Sequence, residues 1–486
     1  MCTTVLVGKR ASYDGSTMIS RTDDGDFEVM KTIVVEPDKQ PRKYKSKISH
    51  VEIELPDYPM RYTASPHADP KAGVWAEAGI NSAGVGMSAT ETLTSNPLVL
   101  SADPLVVYQP AKGSRKAVPG GIGEEDMVTL VLPYIRSARE GVIRLGSLLE
   151  EYGTYEINGV AFNDEDEVWW IESIGGHHWM ASRVPDDRVV INPNMFCRDD
   201  FDFDDAFGKQ KNYMCSADLK EFIDKNHLDL NQDGRLNPRH IFGSRRDMDH
   251  VYDTPRAWFM GRYLAPESYK WDGPDADFGP ESDDIPWSLV PDRKVTVEDL
   301  QYLLSAHFQG TPYDPYGKRE QGLSGKYRCI GINRTGVTHI NQIRNGVPDE
   351  IKGIEWICYG CTTFSCWVPV YTNVPSMPAY LSRITSDDVT TENLFWASRI
   401  IGAMVDKDYD HCIQNIERYQ NAVNIRCRQV IIEYDEKMAE TGDFSLTSEA
   451  NKKICEIAKE ETDKALGKIL YTSTYRMKNN SRLADN

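Results

Sequence analysis

The second residue of the chain is a cysteine, and its position gives it two reactive groups. Removal of Met1, which is usual when the next residue is small, would leave Cys2 with both a thiol and a free α-amino group. An α-amino group titrates at a pKa of about 7.7 to 8.0 and a thiol at about 8.5, so the amine can accept the thiol proton near neutral pH. The start of the sequence therefore predicts nucleophilic catalysis of acyl transfer by a single residue.

Short motifs follow this cysteine in a fixed order along the chain. The early ones are Met1-Cys2-Thr3-Thr4, Ser20-Arg21-Thr22-Asp23-Asp24 and Gly79-Ile80-Asn81-Ser82-Ala83-Gly84-Val85. The later ones are Pro193-Asn194-Met195-Phe196, Thr254-Pro255-Arg256 and His307-Phe308-Gln309-Gly310-Thr311-Pro312-Tyr313-Asp314. Together they resemble the dipeptidases of peptidase family C69, which are N-terminal-nucleophile hydrolases related to bile salt hydrolase and penicillin V acylase.

The resemblance covers almost the whole chain and implies both a fold and a reaction. It implies an α+β fold, a four-layer αββα sandwich, with a helical C-terminal extension. It also implies a cysteine dipeptidase that hydrolyses the peptide bond of dipeptides through a thioester, with no metal and no other cofactor. An amide hydrolase of the bile salt hydrolase or penicillin V acylase type is the alternative within the same superfamily.

Catalytic roles for two residues near the start of the chain follow from the resemblance. Arg21 is expected beside the nucleophile, where a fixed guanidinium favours the thiolate and disfavours a protonated neighbouring amine. Asp24 is expected to orient the α-amino group or Arg21. Asp23 is adjacent to Asp24, and the sequence does not decide between the two.

The oxyanion of a tetrahedral intermediate needs two preorganised donors, which the superfamily draws from one side-chain amide and one backbone N–H. Asn194 is the expected amide donor, with Asn192 as the alternative because it also follows a strand. The backbone donor is expected near Thr90 and Glu91. Where the bile-salt branch of the superfamily has an asparagine, this segment has none, which disfavours the acylase alternative.

Two further residues complete the candidate site. Arg256 matches a family arginine and is expected to brace the site. Asn81 lies at a predicted hairpin turn, where an asparagine serves the backbone conformation more often than a substrate; we keep substrate binding as the other possibility.

A hypothesis from another functional class uses a cysteine cluster. Cys358, Cys361 and Cys366 have a spacing that could bind a metal, which would make the chain a metal-binding or interaction protein. No second Cys or His pair follows at the distance of a zinc finger, and structural thiols are the favoured interpretation.

The periodicity of the sequence predicts the elements that must position these residues. Alternation with period two predicts strands at 4–7, 17–21, 31–36, 75–78, 85–89, 159–162, 168–172, 179–184, 188–192, 327–339 and 353–371. Helical spacing predicts a helix pair over 125–152 with a break at Gly141, and helices at 393–405, 411–440 and 448–471. We expect a hydrolase domain over 2–385, with long insertions around 197–320, and a helical extension over 386–486 packed on the same core.

Composition limits the classes of protein and partner. Of the 486 residues, 40% are hydrophobic and 27% are charged, which is typical of a globular chain and not of a disordered one. The formal net charge of −19 disfavours nucleic acid and anionic membranes as partners. We expect small peptides as partners, a homo-oligomer as one possible state, and no membrane span. The start resembles no secretory signal and the ten cysteines are dilute, which predicts free thiols in the cytoplasm.

Overall fold

The computed structural model describes residues 1–232, 234–317 and 322–477. These ranges combine antiparallel sheets with helices, so the predicted α+β class is confirmed. The strands in chain order are β1 Thr3–Val7, β2 Thr17–Thr22, β3 Ile33–Val35, β4 Lys43–Lys45, β5 Glu52–Glu54, β6 Tyr62–Ala64, β7 Ala78–Ile80, β8 Gly86–Thr92, β9 Asn158–Asn163, β10 Val168–Ser173, β11 Trp179–Arg183, β12 Val189–Asn192, β13 Tyr213–Cys215, β14 Ser288–Leu289, β15 Val337–Ile343, β16 Gly353–Tyr359 and β17 Val368–Tyr371.

The helices lie mainly after the first eight strands. In chain order they are α1 Pro97–Ala102, α2 Glu124–Val131, α3 Ala138–Tyr152, α4 Phe203–Ala206, α5 Leu219–Lys225, α6 Pro238–Phe242, α7 Asp249–Tyr252, α8 Thr254–Leu264, α9 Val297–Leu304, α10 Ala379–Ser382, α11 Leu394–Val405, α12 Tyr409–Thr441 and α13 Leu446–Tyr475. Short 3₁₀ helices occupy Pro37–Lys39, Pro70–Ala72, Leu132–Tyr134, Asp349–Ile351 and Asp406–Asp408.

Two large antiparallel sheets form the centre of the molecule. One has seven strands in the order β14-β12-β1-β2-β15-β16-β17, and the other has six in the order β13-β11-β10-β9-β8-β7. Strand β2 contacts β8 and β9, so the two sheets face each other. Leu6, Ile19, Ala161 and Trp170 form an apolar cluster in which both sheets take part.

Alternating side chains of β1 pack into two different apolar clusters. Successive side chains of a strand point to opposite faces. Leu6 belongs to the cluster between the sheets, whereas Val5 and Val7 belong to the apolar core that includes helices α8 and α9. The even-numbered positions of β1 therefore face the second sheet, and Cys2 precedes them with the same parity.

The predicted helix pair corresponds to α2 and α3, which pack against the six-stranded sheet. The break between them is not at Gly141. Helix α3 begins after Ser137, whose side chain accepts a hydrogen bond from the backbone N–H of Glu140 and caps the helix. Gly141 instead allows close packing, because a Cβ there would lie 2.5 Å from the ring of Phe162.

The other helices cover the seven-stranded sheet. Helix α8 contacts β12, α9 contacts β2 and β15, and α12 and α13 both contact β17. Ile416 and Ile454 of the C-terminal helices share one apolar cluster with Val370 of β17. Helices α12 and α13 thus pack on the seven-stranded sheet. Residues 478–486, which belong to the extension predicted over 386–486, lie outside the described ranges.

Three sequence predictions of local structure are corrected. The strand predicted at 75–78 begins only at Ala78, because Trp75 and Glu77 adopt positive φ angles of 46° and 52° that interrupt an extended chain. The strand predicted at 327–339 begins at Val337, and residues 327–336 form a loop. The insertion around 197–320 contains the eleven-residue helix α8, which the sequence analysis missed although Pro255 at its start is a typical helix signal.

No helix within the described residues combines the length and the apolar character that crossing a membrane requires.

Candidate active site

The structure brings Cys2 and Arg21 together between the two sheets. Thr4 lies opposite Arg21 in the antiparallel register of β1 and β2. Because side chains two residues apart share a face of a strand, Cys2 lies on the same face as Arg21. Cys2 is fully buried, and the Nη1 of Arg21 donates a hydrogen bond to its Sγ at 3.0 Å.

Arg21 is held by a dense set of acceptors. It is 1% exposed, and its guanidinium forms an ion pair with Glu77 at 2.7 Å. It also donates to the carbonyl oxygens of Ala89 at 2.9 Å and Thr90 at 2.8 Å and to the hydroxyl of Ser88 at 3.2 Å. A buried guanidinium is costly unless its donors are used, and here they fix its position against Cys2.

The thiol is protonated in the form of the chain that carries Met1. Burial raises the pKa of Cys2 to about 12, although the Met1 amino group and Arg21 both act to lower it. Burial alone would lower the pKa of the Met1 amino group, but the charges of Cys2, Asp24, Glu124 and Asp23 raise it to about 11. This pKa belongs to the Met1 amine, and the expectation for the α-amine of Cys2 stays a prediction.

The two adjacent aspartates have different surroundings. Asp24 accepts hydrogen bonds from Thr22 at 2.9 Å and Thr335 at 2.6 Å and forms an ion pair with Arg328. Burial alone would raise its pKa, but Arg328 and Thr335 hold that pKa below its ordinary value. The carboxylate of Asp23 accepts no hydrogen bond from any described residue, and burial raises its pKa to about 7.

Arg256 connects the nucleophile to Asn194. Its Nη1 donates to the backbone carbonyl of Cys2 and, at 2.6 Å, to the hydroxyl of Thr3. Its Nη2 donates to Oδ1 of Asn194 and to Asp253, each at 2.8 Å. Arg256 therefore links the start of β1 to Asn194.

The two candidate amide donors, Asn194 and Asn192, differ in their hydrogen-bond partners. Asn194 uses one N–H to bind the carbonyl of Thr92 at 2.9 Å, which leaves its second N–H available. Asn192 donates to the carbonyls of Pro193 at 3.0 Å and Met195 at 3.4 Å, within its own loop. Of the two, Asn194 is the one joined to Cys2 through Arg256.

Thr90 and Glu91 lie beside the same group of residues. The backbone N–H of Thr90 donates to Glu124 at 3.4 Å, a long hydrogen bond. Glu91 is fully buried and accepts a hydrogen bond from Thr4 at 2.7 Å, and burial raises its pKa to about 7. Both residues are therefore close to the N-terminal strand, but only Thr90 contacts Arg21.

Asn81 holds the turn between β7 and β8. Its amide N–H groups donate to the carbonyls of Leu132 and Ile135, each at 2.8 Å, and its oxygen accepts from the backbone N–H groups of Ala83 and Val85. All four of these interactions are structural, so the amide keeps little capacity for a substrate.

Three charged residues of the site were not predicted from the sequence. Glu77 pairs with Arg21, Arg328 pairs with Asp24, and Glu124 lies near Cys2. Glu77 lies in a loop and Arg328 in a segment predicted as a strand, and Glu124 starts helix α2. No motif marked any of them, because each is brought to Cys2 by tertiary packing.

A cavity of about 630 Å³ borders this region. Arg328 lines it, and the same side chain donates to the hydroxyl of Thr3 at 3.3 Å. The other walls are largely apolar and include Phe27, Ile332 and Phe364. Cavities of this size are typical of sites for small molecules.

Groups that could hold a metal ion are few in the described part of the chain. The one set of three such side chains there is Cys2, Asp23 and Glu124, whose ligand atoms lie within 4.8 Å of one another. Cys358, Cys361 and Cys366 do not form such a set. The cysteine cluster hypothesised from the sequence is therefore not a preformed metal site, and Cys358 and Cys366 are fully buried in the core.

Comparison with known sequences assigns the chain to a family of peptidases. The profile of peptidase family C69 matches residues 1–422, and the chain belongs to this family. The resemblance drawn from the motifs is thereby confirmed, and so is the prediction that the chain is a peptidase.

Relatives match over nearly their full lengths. A protein named "Dipeptidase" from Bifidobacterium longum is 49% identical, with 100% of this chain and 99% of the relative aligned. "Probable dipeptidase A" from Streptococcus pyogenes serotype M18 is also 49% identical, over 100% of this chain and 98% of the relative. "Dipeptidase A" from Lactobacillus helveticus is 40% identical, over 96% of each chain.

Proposed function

We propose that the protein is a cysteine dipeptidase in which Cys2, freed of Met1, attacks the peptide carbonyl of a dipeptide. The observation that carries the proposal is the contact of 3.0 Å between Arg21 Nη1 and the Cys2 thiol, directly at the start of the chain. Family membership and the names of the relatives, which are dipeptidases, support the substrate class.

We also propose that the fold is the four-layer αββα sandwich of N-terminal-nucleophile hydrolases. The packing of β2 on β8 and β9, with α2 and α3 outside one sheet and α8, α9, α12 and α13 outside the other, supports this assignment. We interpret residues 2–385 as the hydrolase domain and the helices from 386 onward as an extension on the same core.

Removal of Met1 is the step that activates the thiol. It replaces a backbone amide by the α-amino group of Cys2, whose ordinary pKa is about 7.7 to 8.0. That amine can take the proton from Sγ, which burial keeps protonated in the longer chain. Arg21 then stabilises the thiolate through its Nη1.

Acylation and deacylation both use the Sγ and the α-amino nitrogen of Cys2. The thiolate attacks the carbonyl carbon and forms a C–S bond, while the oxyanion is stabilised by hydrogen-bond donors. When the C–N bond breaks, the ammonium group of Cys2 gives its proton to the leaving amine, and a thioester remains. Water then attacks the thioester, the Cys2 amine accepts a proton from it, and the released thiol regains its hydrogen.

We assign supporting roles from the contacts of each side chain. The second N–H of Asn194 is our candidate for the amide donor to the oxyanion, and Arg256 positions it. Asp24 orients Arg328 and the N-terminal segment. Asn81 is assigned a structural role in its turn, and Asn192 one in its loop.

The state of the cysteines supports a reducing location. All ten cysteines are free thiols. Free thiols are typical of proteins in reducing compartments, which is the basis for proposing the cytoplasm. A homo-oligomer remains a prediction that light scattering of the purified protein would test.

The decisive experiment combines intact mass with turnover of dipeptides. We expect the mass of the purified protein to correspond to loss of Met1, and Cys2→Ala to abolish dipeptide hydrolysis. Cys197→Ala is the matched control, because Cys197 is also a buried thiol but its Sγ donates to the carbonyl of Met195, at 3.5 Å, and does not accept from Arg21. The control should retain turnover.

Two outcomes would contradict the proposal. Unchanged dipeptide turnover in Cys2→Ala would exclude the thiol as the nucleophile. Conjugated bile salts or penicillin V hydrolysed faster than dipeptides would instead support the acylase alternative. A variant with a tag fused before Met1 tests the activation step, since it cannot expose the Cys2 amine and should be inactive.

A further inference from the structure

Two carboxylates lie beside the nucleophile without full partners. Oxygens of Asp23 and Glu124 and the Sγ of Cys2 lie within 4.8 Å of one another. Asp23 is only 7% exposed, and its carboxylate accepts no hydrogen bond from the described residues. Glu124 accepts one, from the backbone of Thr90 at 3.4 Å, and its side chain is 14% exposed.

The buried arginines of the site do not neutralise these carboxylates. Each already has a closer acidic partner; the pairs are Arg21–Glu77, Arg256–Asp253 and Arg328–Asp24. Arg21 reaches Glu124 only at 3.8 Å, which is at the limit of an ion pair. Transfer of the thiol proton to the Cys2 amine adds no net charge but places a thiolate beside these carboxylates, so a further cation would stabilise the reacting site.

A dipeptide brings a cation to this place by its covalent geometry. Its α-ammonium nitrogen is attached to the Cα next to the reacting carbonyl carbon, at about 2.5 Å from that carbon. When Sγ approaches the carbonyl, the ammonium group must therefore lie within a few ångströms of Sγ. Glu124 is the more exposed of the two carboxylates and lies at the start of helix α2, close to the thiol.

We propose that Glu124 binds the α-ammonium group of the dipeptide and thereby selects substrates with a free amino terminus. This inference rests on the proposed function. In this proposal Asp23, which is more deeply buried, balances the charge of the Cys2 ammonium group. The two ammonium groups then offset the two carboxylates, and Arg21 stays beside the thiolate in the complex of the enzyme with its substrate.

A metal ion is the other cation that these three side chains could bind. Bound to Sγ, it would occupy the lone pair that has to attack the carbonyl carbon. The ammonium group of the substrate neutralises the carboxylates and leaves the sulfur free. The chemistry of attack therefore favours the ammonium group.

The test compares three substrates that differ only at the amino terminus: alanyl-alanine, propionyl-alanine, which lacks the amine, and N-acetyl-alanyl-alanine. For wild-type enzyme we expect kcat/KM for alanyl-alanine to exceed that for propionyl-alanine by about 10- to 100-fold, the range of a charge-assisted hydrogen bond. In Glu124→Gln, kcat/KM for alanyl-alanine should fall by a similar factor. Propionyl-alanine should be hydrolysed at least as fast as by wild type, because the thiolate is repelled less.

The control variant is Glu151→Gln, which removes one carboxylate from the exposed end of α3 and should preserve the discrimination. Thermal unfolding identifies a Glu124 variant that is misfolded, and Glu124→Asp, which keeps the charge, should retain part of the discrimination. An equal loss of kcat/KM for all three substrates in Glu124→Gln would overturn the inference. Inhibition of wild type by a chelator would also overturn it, if Glu124→Gln is no longer inhibited. Dipeptide turnover that survives Cys2→Ala would instead show that the proposed function itself fails.

Discussion

Breaking the buried pair of Arg21 and Glu77 separates the catalytic role of the arginine from its structural role. The two side chains are each 1% exposed and lie 2.7 Å apart. Arg21→Met removes the guanidinium from the thiol of Cys2 and leaves Glu77 without its cation. The double variant Arg21→Met with Glu77→Gln removes both charges and so restores neutrality in the core.

The magnitudes follow from the burial of the pair. Removing one partner of a buried ion pair costs about 3 to 5 kcal/mol, whereas replacing both partners by neutral groups is often close to neutral. With an unfolding entropy of about 2.1 cal/mol/K per residue, a loss of this size lowers Tm by about 3 to 5 °C for a chain of this length. Loss of the charge beside Cys2 raises the pKa of its thiol by about 1 to 3 units, which lowers the thiolate fraction about 10- to 1,000-fold.

Three measurements test this reasoning on the same set of variants. Thermal unfolding should show a loss of stability in Arg21→Met that the double variant largely recovers. Dipeptide kcat/KM should stay low in both variants, and the pH dependence of thiol alkylation should show the raised pKa of Cys2 in both. Recovery of turnover together with stability in the double variant would refute a catalytic role for Arg21.

The other predictions concern the oxyanion donor, a pH-dependent ion pair and a packing contact. Asn194→Ala should lower kcat about 100- to 1,000-fold, as expected for an oxyanion donor. Asn192→Ala is the control and should affect stability more than kcat. Equal losses of kcat in the two variants would contradict the assignment of Asn194 as the oxyanion donor. His178 lies 2.7 Å from Asp103; burial alone would lower its pKa, but the hydrogen bond to Asp103 raises that pKa above its ordinary value of about 6.5. Wild type should therefore be more stable than His178→Gln, and this difference in the free energy of unfolding should be largest below about pH 6.5. The difference should shrink as the pH rises through the raised pKa of His178, and denaturant unfolding at several pH values measures it. Gly141→Ala should destabilise the protein by about 1 to 3 kcal/mol in thermal unfolding, despite the better helix propensity of alanine, because its Cβ would meet an aromatic ring of β9 at 2.5 Å; a gain in Tm would show that the ring can move.

Local patterns in the sequence were sufficient for several elements of the fold. The alternation at 4–7 and 17–21 predicted β1 and β2, and helical spacing predicted α3 and the long C-terminal helices. Such patterns are readable because burial on one face imposes a fixed period on apolar side chains. The strand prediction failed at Trp75 and Glu77, where the φ angles are positive.

The sequence by itself determined that Cys2 joins a thiol to a prospective amine and that Arg21 lies in a strand, since the first depends on one covalent connection and the second on strand alternation. The family resemblance implied that Arg21 lies beside Cys2, and the pairing of β1 with β2 brings the two together. The sequence also carried the motifs that identify family C69. Only the tertiary structure decided which charges surround the thiol. Glu77, Glu124 and Arg328 come from loops and a helix start that are distant from Cys2 in the chain. Their placement depends on how the sheets and helices pack, and no local period in the sequence records it.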